Sequence, residues 1–250
     1  MNNKPEQPGN ALSFESVTPK ALKFFWNDFF IFSESTSNSL TIMKANKNSM
    51  CKMSTSTDKS KLILASKELE DPSDTMKYVK TLIAKGCSTH DIMKTAIYDN
   101  RLDFVDSIIK IDPSIISYKD GKQNTYLHKA INGRNVSNKY DIIEFMIKSG
   151  FDFRAKTFYG FTPLMCASLA DLSSIVRLLV ENGANIDEKQ FNFDGNTALM
   201  FAIFRWNKQI PNLIELGASV NIRNNQGHSS IEHALYRKVI DAMKIIIYLT

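Results

Sequence analysis

Residues 60–250 read as an all-α solenoid of five to six helix-turn-helix units joined by short hairpin-like turns. Three observations predict it. The stretch 160–186, "GFTPLMCASLADLSSIVRLLVENGANI", spells two short apolar helices between a start and a stop signal. The same spelling returns downstream at an offset of 35 residues and upstream at 37. Finally, helices this short cannot bury an apolar face by themselves, so they must pack on something, and here copies of themselves are at hand.

The template stretch justifies its own elements. Thr162 before Pro163 is a helix start: the hydroxyl can accept from an orphan backbone N–H, and Pro fits a first helical position whose donor is not needed. Leu164, Ala167 and Ser168 share one side of the first helix, and Ala167 is small enough to let a neighbouring helix approach. Asp171 and Ser173 restart the signal. Ile175, Val176, Leu178 and Leu179 recur at helical spacing with Arg177 and Glu181 turned outward. Gly183 stands where a helix stops and positive φ is required.

Taken in chain order, residues 1–59 form a leader, partly disordered, with a helix expected over 18–32. "TPKALKFFWNDFFIF" supplies a Thr18 cap, Pro19 and six bulky aromatics; it is either a cap docked over the first unit or a motif captured by a partner or a membrane surface. Residues 33–60 are rich in Ser, Thr, Asn and Lys and read as a flexible linker. The first unit, near 60–89, is degenerate: Leu62, Ala65, Leu82, Ile83 and Gly86 fill its slots and "DPSD" looks like a loop insertion. The second, near 90–122, places Met93, Ala96, Val105, Ile108 and Ile109. The third, near 123–159, carries Thr125, Leu127, His128, Ala130 and Gly150, lengthened near "RNVSN". The template is the fourth, 160–194. The fifth, 195–226, repeats Gly195, Thr197, Leu199 and Ala202, then Gly217-Ala218-Ser219-Val220. The sixth, 227–250, keeps Gly227, Ser229, Ile231 and Ala234 and ends in an apolar helix, "KVIDAMKIIIYLT". A closing unit normally shows water a polar face. Either the chain is naturally truncated there, or that edge self-associates with a second copy.

A period of about 33 residues with T-P-L-H-x-A, two helices and a Gly-Ala turn resembles the ankyrin repeat. "NTYLH" and "GFTPLM" match its start and "LLVENGANI" its end. The resemblance implies a scaffold, adaptor or inhibitor that binds another protein through a concave face lined by first helices and turn tips. It also implies that His128 ties adjacent turns by hydrogen bonds. A narrower alternative is an effector of an intracellular bacterium acting on host proteins, suggested by Lys-, Asn- and Ile-rich usage.

Composition narrows the function classes. Lys and Arg number 31 against 26 Asp and Glu, a net +5, with Lys in excess; no strong polyanion-binding signal follows. Cys51, Cys87 and Cys166 are scattered and odd in number, which argues against a disulfide framework or a zinc site and suits a cytoplasmic location. The apolar run 24–32 is too short to span a bilayer. There is no P-loop, G-x-G-x-x-G, H-E-x-x-H or paired C-x-x-C. An enzyme is not expected, nor a cofactor, a metal, a nucleic-acid partner or integral membrane contact. The Asn135-Val136-Ser137 sequon should stay idle without secretion.

What remains are residues that the repeat does not require. The resemblance puts on the binding face the two slots before each turn Gly, the one after it, and two beyond the small helix residue. They hold Phe158, Tyr159 and Phe161 with Leu169 and Ala170; then Phe193, Asp194 and Asn196 with Phe204 and Arg205; then Asn225, Gln226 and His228 with Tyr236 and Arg237. The turn "DEKQFNFDG" has two extra residues, carrying Phe191 and Phe193 outward. Aromatics and Arg bury much area at low entropy cost, as interface centres require. The expected groove therefore centres on these rings, rimmed by Arg154, Lys156, Arg205 and Arg237.

Overall fold

The computed structural model describes residues 72–133, 139–205 and 208–236. Ten α-helices follow one another in this part of the chain: α1 Pro72–Ala84, α2 Thr89–Tyr98, α3 Leu102–Ile111, α4 Tyr126–Asn132, α5 Lys139–Lys148, α6 Pro163–Leu169, α7 Ser173–Glu181, α8 Ala198–Arg205, α9 Gln209–Glu215 and α10 Ser230–Tyr236. A 3-10 turn, Pro113–Ser117, follows α3. The helices pair as α2/α3 (unit A), α4/α5 (B), α6/α7 (C) and α8/α9 (D), with α10 opening unit E. First helices stack on first helices, α2 on α4, α4 on α6, α6 on α8 and α8 on α10. Second helices stack likewise, from α1 on α3 through α5 and α7 to α9. The architecture is an all-α solenoid, as the repeat predicts.

From α4 onward each first helix starts on the residue that the sequence marks. The hydroxyls of Thr125, Thr162, Thr197 and Ser229 accept from the backbone N–H three residues on, at 3.4, 3.3, 3.4 and 3.3 Å. Ser229 completes a capping box, its own N–H donating to Glu232 Oε2 at 2.7 Å. Helix ends follow the glycines: φ is +87° at Gly86, +93° at Gly150, +90° at Gly183 and +91° at Gly217. One residue beyond, the backbone N–H reaches back to close the helix, as Ala184 does to the Leu179 carbonyl at 2.9 Å.

Stacking requires a small side chain at one recurrent position. Ala96, Ala130, Ala167, Ala202 and Ala234 fill it in α2, α4, α6, α8 and α10, none more than 3 % exposed. Between these layers lie Met93, Leu127, Leu164 and Leu199, all buried. The large rings Phe104, Tyr126, Phe151, Phe161 and Phe201 complete the interior.

Two local expectations change. "DPSD" is not a loop insertion: Pro72, Ser73 and Asp74 form the first turn of α1, where a prolyl residue lacks only an unneeded donor and an acid meets the positive end of the helix. Asp171 and Ser173 do not restart a helix by capping. The N-cap of α7 is Leu172 without a side-chain bond, and Asp171 is left-handed at φ +59°. Their oxygens instead accept from Gln209 Nε2 of the next unit, at 2.9 and 2.6 Å. The expected leader, residues 60–71 of the first unit, the segment around Asn135 and the apolar helix expected after 236 lie outside the described residues.

Candidate functional site

Phe158, Tyr159, Phe191 and Phe193 lie on a row of hairpin tips, one before each first helix from α4 onward. Each tip is closed by one backbone bond: Asp120 N to Asn124 O in tip B, Thr157 N to Phe161 O in tip C, Gln190 N to Asn196 O in tip D, and Asn224 N to His228 O in tip E, all 2.9–3.0 Å. Tips B, C and E close over five residues. Tip D closes over seven, so the two extra residues seen in the sequence are accommodated wholly within the tip. The penultimate residue has positive φ throughout: Gly160, Gly195 and Gly227, with Gln123 adopting +61° in tip B. Tip D needs a second left-handed residue, Asn192 at +76°.

Neighbouring tips are stitched together. Phe158 N donates to Lys122 O at 2.8 Å, joining C to B, and Asn225 N donates to Asp194 O at 2.7 Å, joining E to D. Between C and D the join is made by side-chain amides: Gln190 Nε2 donates to Tyr159 O at 2.9 Å and Asn192 Nδ2 to Phe158 O at 3.4 Å. Backbone contact is close here. A Cβ on Gly160 would fall 2.1 Å from Phe191 O, so only glycine fits under the longer tip. On its other side, Asn225 Nδ2 donates to Phe193 O at 2.5 Å.

This scaffold sorts the aromatics. Phe158 and Phe191 are left in water, 60 % and 63 % exposed, on adjacent tips. Tyr159 and Phe193 are half-buried beneath them, ring centroids 5.5 Å apart, and Phe158 meets Tyr159 edge-on at 5.4 Å. Phe161 is a correction. It is fully buried against Phe201 at 5.0 Å and belongs to the core, because the closing bond of tip C puts it in the stem, facing the first helices. Leu169 is likewise buried, since α6 is covered on all sides. Phe204 is half-buried and Arg205 exposed at the end of α8. The side chain of Tyr236, and Arg237, lie outside the described residues. Of the rim, Arg154 is exposed and bonds Gly183 O at 3.1 Å, while Lys156 is ion-paired with Glu188 of the next unit. Of the predicted aromatics, the two left exposed, Phe158 and Phe191, thus lie on tips C and D. Sequence reasoning missed the stitching residues Gln190 and Asn192; the extra tip length was the signal for them.

Charges on this row are mostly internal. Burial pushes the Asp120 carboxyl up, but Lys129 Nζ at 2.9 Å and the N–H groups of Asn124 and Lys122 outweigh it and hold the group below the ordinary carboxylate range. Burial pushes the Asp194 carboxyl up. Lys119, Lys122 and Lys189 are exposed.

Beneath the tips sits His128, fully buried. Its Nε2 donates to the Phe161 carbonyl at 3.1 Å, and its Nδ1 lies 2.9 Å from Thr125 Oγ1. It therefore ties tip C to α4, the structural role expected for it. Burial pulls the imidazole down to about 4. Among the described residues no three His, Cys, Asp or Glu side chains could share a metal ion, and no helix is long and apolar enough to cross a membrane.

Comparison with known proteins agrees with this geometry. A model of three ankyrin repeats matches residues 92–190 and a model of one ankyrin repeat matches 194–225, together just over half of the chain. The chain is similar to ankyrin repeat protein FPV031 of Fowlpox virus (strain NVSL), 35 % identical over 111 residues, covering 43 % of this chain and 32 % of that protein. It is also similar to the RelA-associated inhibitor of Mus musculus, 33 % identical over 110 residues, 43 % of this chain and 12 % of that protein. Glycerophosphocholine phosphodiesterase gde1 of Schizosaccharomyces pombe is 37 % identical over 87 residues, 34 % of this chain but 7 % of that enzyme, and the match lies in the repeats. The chain spans no more than about a third of the length of these relatives.

Proposed function

The chain belongs to the ankyrin-repeat family, whose repeats generally mediate protein–protein interaction, and on that premise we propose that it is a non-catalytic scaffold, adaptor or inhibitor whose partner protein docks across tips B to D. One observation carries the reading: Phe158 and Phe191 stand in water on adjacent tips, and the second does so on a tip two residues longer than its siblings. Burying a phenyl ring is worth about 1.5–3 kcal/mol. Folding of the repeats leaves more than half of that unrealised at both positions. A partner that covers the pair gains it, and two rigid rings lose little entropy on docking. Half-buried Tyr159 meets Phe158 edge-on and lies against Phe193, which steadies the ring of tip C. The buried free thiols of the repeats, Cys87 and Cys166, suit action in a reducing cytoplasm. An effector role inside a host cell would use the same surface.

The test is affinity capture with the wild type and with a Phe158→Ser/Phe191→Ser variant side by side. Both side chains lie outside the core, so the two proteins should melt within about 1 °C of each other. Partners captured by the wild type should be lost, or weakened at least tenfold, with the variant. Equal capture by both would remove the tips as the docking surface.

A further inference from the structure

We infer that the aromatic segment 24–32 of this same chain seats on the Phe158/Phe191 pair and keeps the tips covered until a partner displaces it. This rests on the reading of those tips as a docking surface and adds how that surface is regulated. The segment, "FFWNDFFIF", carries six bulky aromatics and Ile31 with a single charge, Asp28. A run this apolar needs cover. The outward side of α1 is a poor place for it. That helix packs on α3 through Tyr78 against Phe104, ring centroids 6.2 Å apart, and through Thr75 Oγ1 on Asp103 at 3.2 Å. Its other side is an open surface of Met76, Lys77, Lys80, Thr81 and Ala84, the last four exposed. A Phe-rich cap there would strip water from two ammonium groups.

The tips suit it better. Of the large apolar side chains that stand exposed among the described residues, Tyr98, Tyr140 and Leu235 lie on α2, α5 and α10. Phe158 and Phe191 alone come from adjacent tips, and those tips are tied together by Gln190 and Asn192. Charge does not oppose the contact. Lys119, Lys122 and Lys189 on the row are matched by Asp152, Asp187 and Asp194, so a segment with little charge of its own meets a surface with little net charge. Reach is no obstacle either. Residues 33–71 separate the segment from Pro72 and can extend over up to about 130 Å. Tip D lies four stacked layers beyond α1, about 40 Å at about 8–10 Å per layer. Tethering to its own chain presents the segment at up to about 1 mM. A contact with a dissociation constant of about 0.1 mM then covers the tips in about nine chains of ten and weakens any competitor about tenfold.

The experiment uses the full chain. A Phe191→p-benzoylphenylalanine variant is irradiated and its cross-links are mapped by peptide mass spectrometry. Cross-links within one chain to residues 24–32 are expected, and they should vanish when Phe24→Ser, Phe25→Ser, Phe29→Ser and Phe30→Ser are combined. A fluorescein-labelled peptide of residues 18–32 should bind that leader variant about tenfold more tightly than the wild type, whose own segment competes. Adding Phe158→Ser/Phe191→Ser to the leader variant should weaken the peptide at least tenfold. Circular dichroism spectra that match the wild type separate lost contact from lost fold. Cross-links that join two chains would give the tips to a second copy and overturn the inference. Cross-links that miss the leader, or a peptide that binds regardless of the tip rings, would overturn it too. Partner capture tells this failure from that of the docking reading. If the leader makes no contact but capture still depends on the rings, only the inference falls. A leader contact with ring-independent capture upholds the inference and removes the partner from the tips.

Discussion

His128 should make the repeat stack sensitive to mild acid. The buried imidazole is neutral, with Nε2 donating to the Phe161 carbonyl and Nδ1 accepting from Thr125. Protonation would turn the Nδ1 acceptor into a donor and place an uncompensated cation in the core. Its value in the fold is about 4, lowered first by burial and only partly restored by the Phe161 carbonyl and the charges of Asp120 and Asp152. In the unfolded chain it should lie near 6.5. The folded value is the lower one, so between these limits the unfolded chain holds the extra proton. Stability is therefore complete above about pH 6.5 and falls as pH drops toward 4. At 1.36 kcal/mol per unit the whole loss is about 3 kcal/mol, of which about 2 kcal/mol is spent by pH 5. The measurement is urea unfolding at about pH 7.5, 6.5, 5.5 and 5 for the wild type and for His128→Gln, which keeps a donor but does not titrate. Asp103, Asp112 and Asp120, held below their ordinary range, lose stabilisation only below the ordinary carboxylate value and leave this window clear. The wild-type curve should drop by about 2 kcal/mol more than that of the variant. Parallel curves would refute the assignment of a neutral, buried imidazole at the base of tip C.

Other perturbations separate tip, stem and core. Gly160→Ala and Gly217→Ala both force alanine to positive φ, at about 1–2 kcal/mol, but only the first drives a Cβ into the Phe191 backbone. Gly160→Ala should therefore be the more destabilising by at least about 1 kcal/mol in urea melts and should also abolish partner capture; equal costs would deny the close approach of tip D. Phe161→Ala should cost about 3–5 kcal/mol as a cavity mutation, whereas Phe158→Ala should stay within about 0.5 kcal/mol, which differential scanning calorimetry resolves. Burial pushes the Cys166 thiol up to about 12, so iodoacetamide near neutral pH should leave it unmodified in the native chain and alkylate it after urea, as read by peptide mass spectrometry.

Most of the fold was legible because a repeat multiplies weak signals. Thr162, Ala167 and Gly183 mean little singly. Repeated as Thr125, Ala130 and Gly150, and as Thr197, Ala202 and Gly217, they identify the cap, the close-packed position and the stop, and all hold their places. The site was less legible, for geometric reasons. Whether a residue beside a tip glycine faces water or the core depends on where the hairpin closes. The Thr157–Phe161 bond makes Phe161 a stem residue, while Phe158 stays on the rim. Leu169 was assigned to the binding face by its slot in the repeat, two beyond the small Ala167; a seven-residue helix lying between two first helices and its own partner has no side chain to spare there. The restart at Asp171 failed because its carboxylate bonds a residue 38 positions away, a contact that no local pattern can announce.

The lengthened tip shows why this scaffold can change its surface without changing its stack. Two added residues would be expected to break the backbone link between tips C and D, and that link is indeed absent there. Its place is taken by Gln190 Nε2 on Tyr159 O and Asn192 Nδ2 on Phe158 O, amides that reach where the displaced backbone does not. On the far side, the ordinary link from Asn225 N to Asp194 O is already restored. Below the tips the layers are undisturbed: Ala167 and Ala202 remain fully buried and α6 still packs on α8. In a solenoid each unit answers only to its neighbours, so a distortion absorbed within one junction travels no further. The exposed ring of Phe191 is therefore a local feature of one junction, tied to amide side chains that the repeat itself does not demand. Gln190 and Asn192 thus hold in place the tip that carries this ring, and the docking surface proposed for it depends on that one junction.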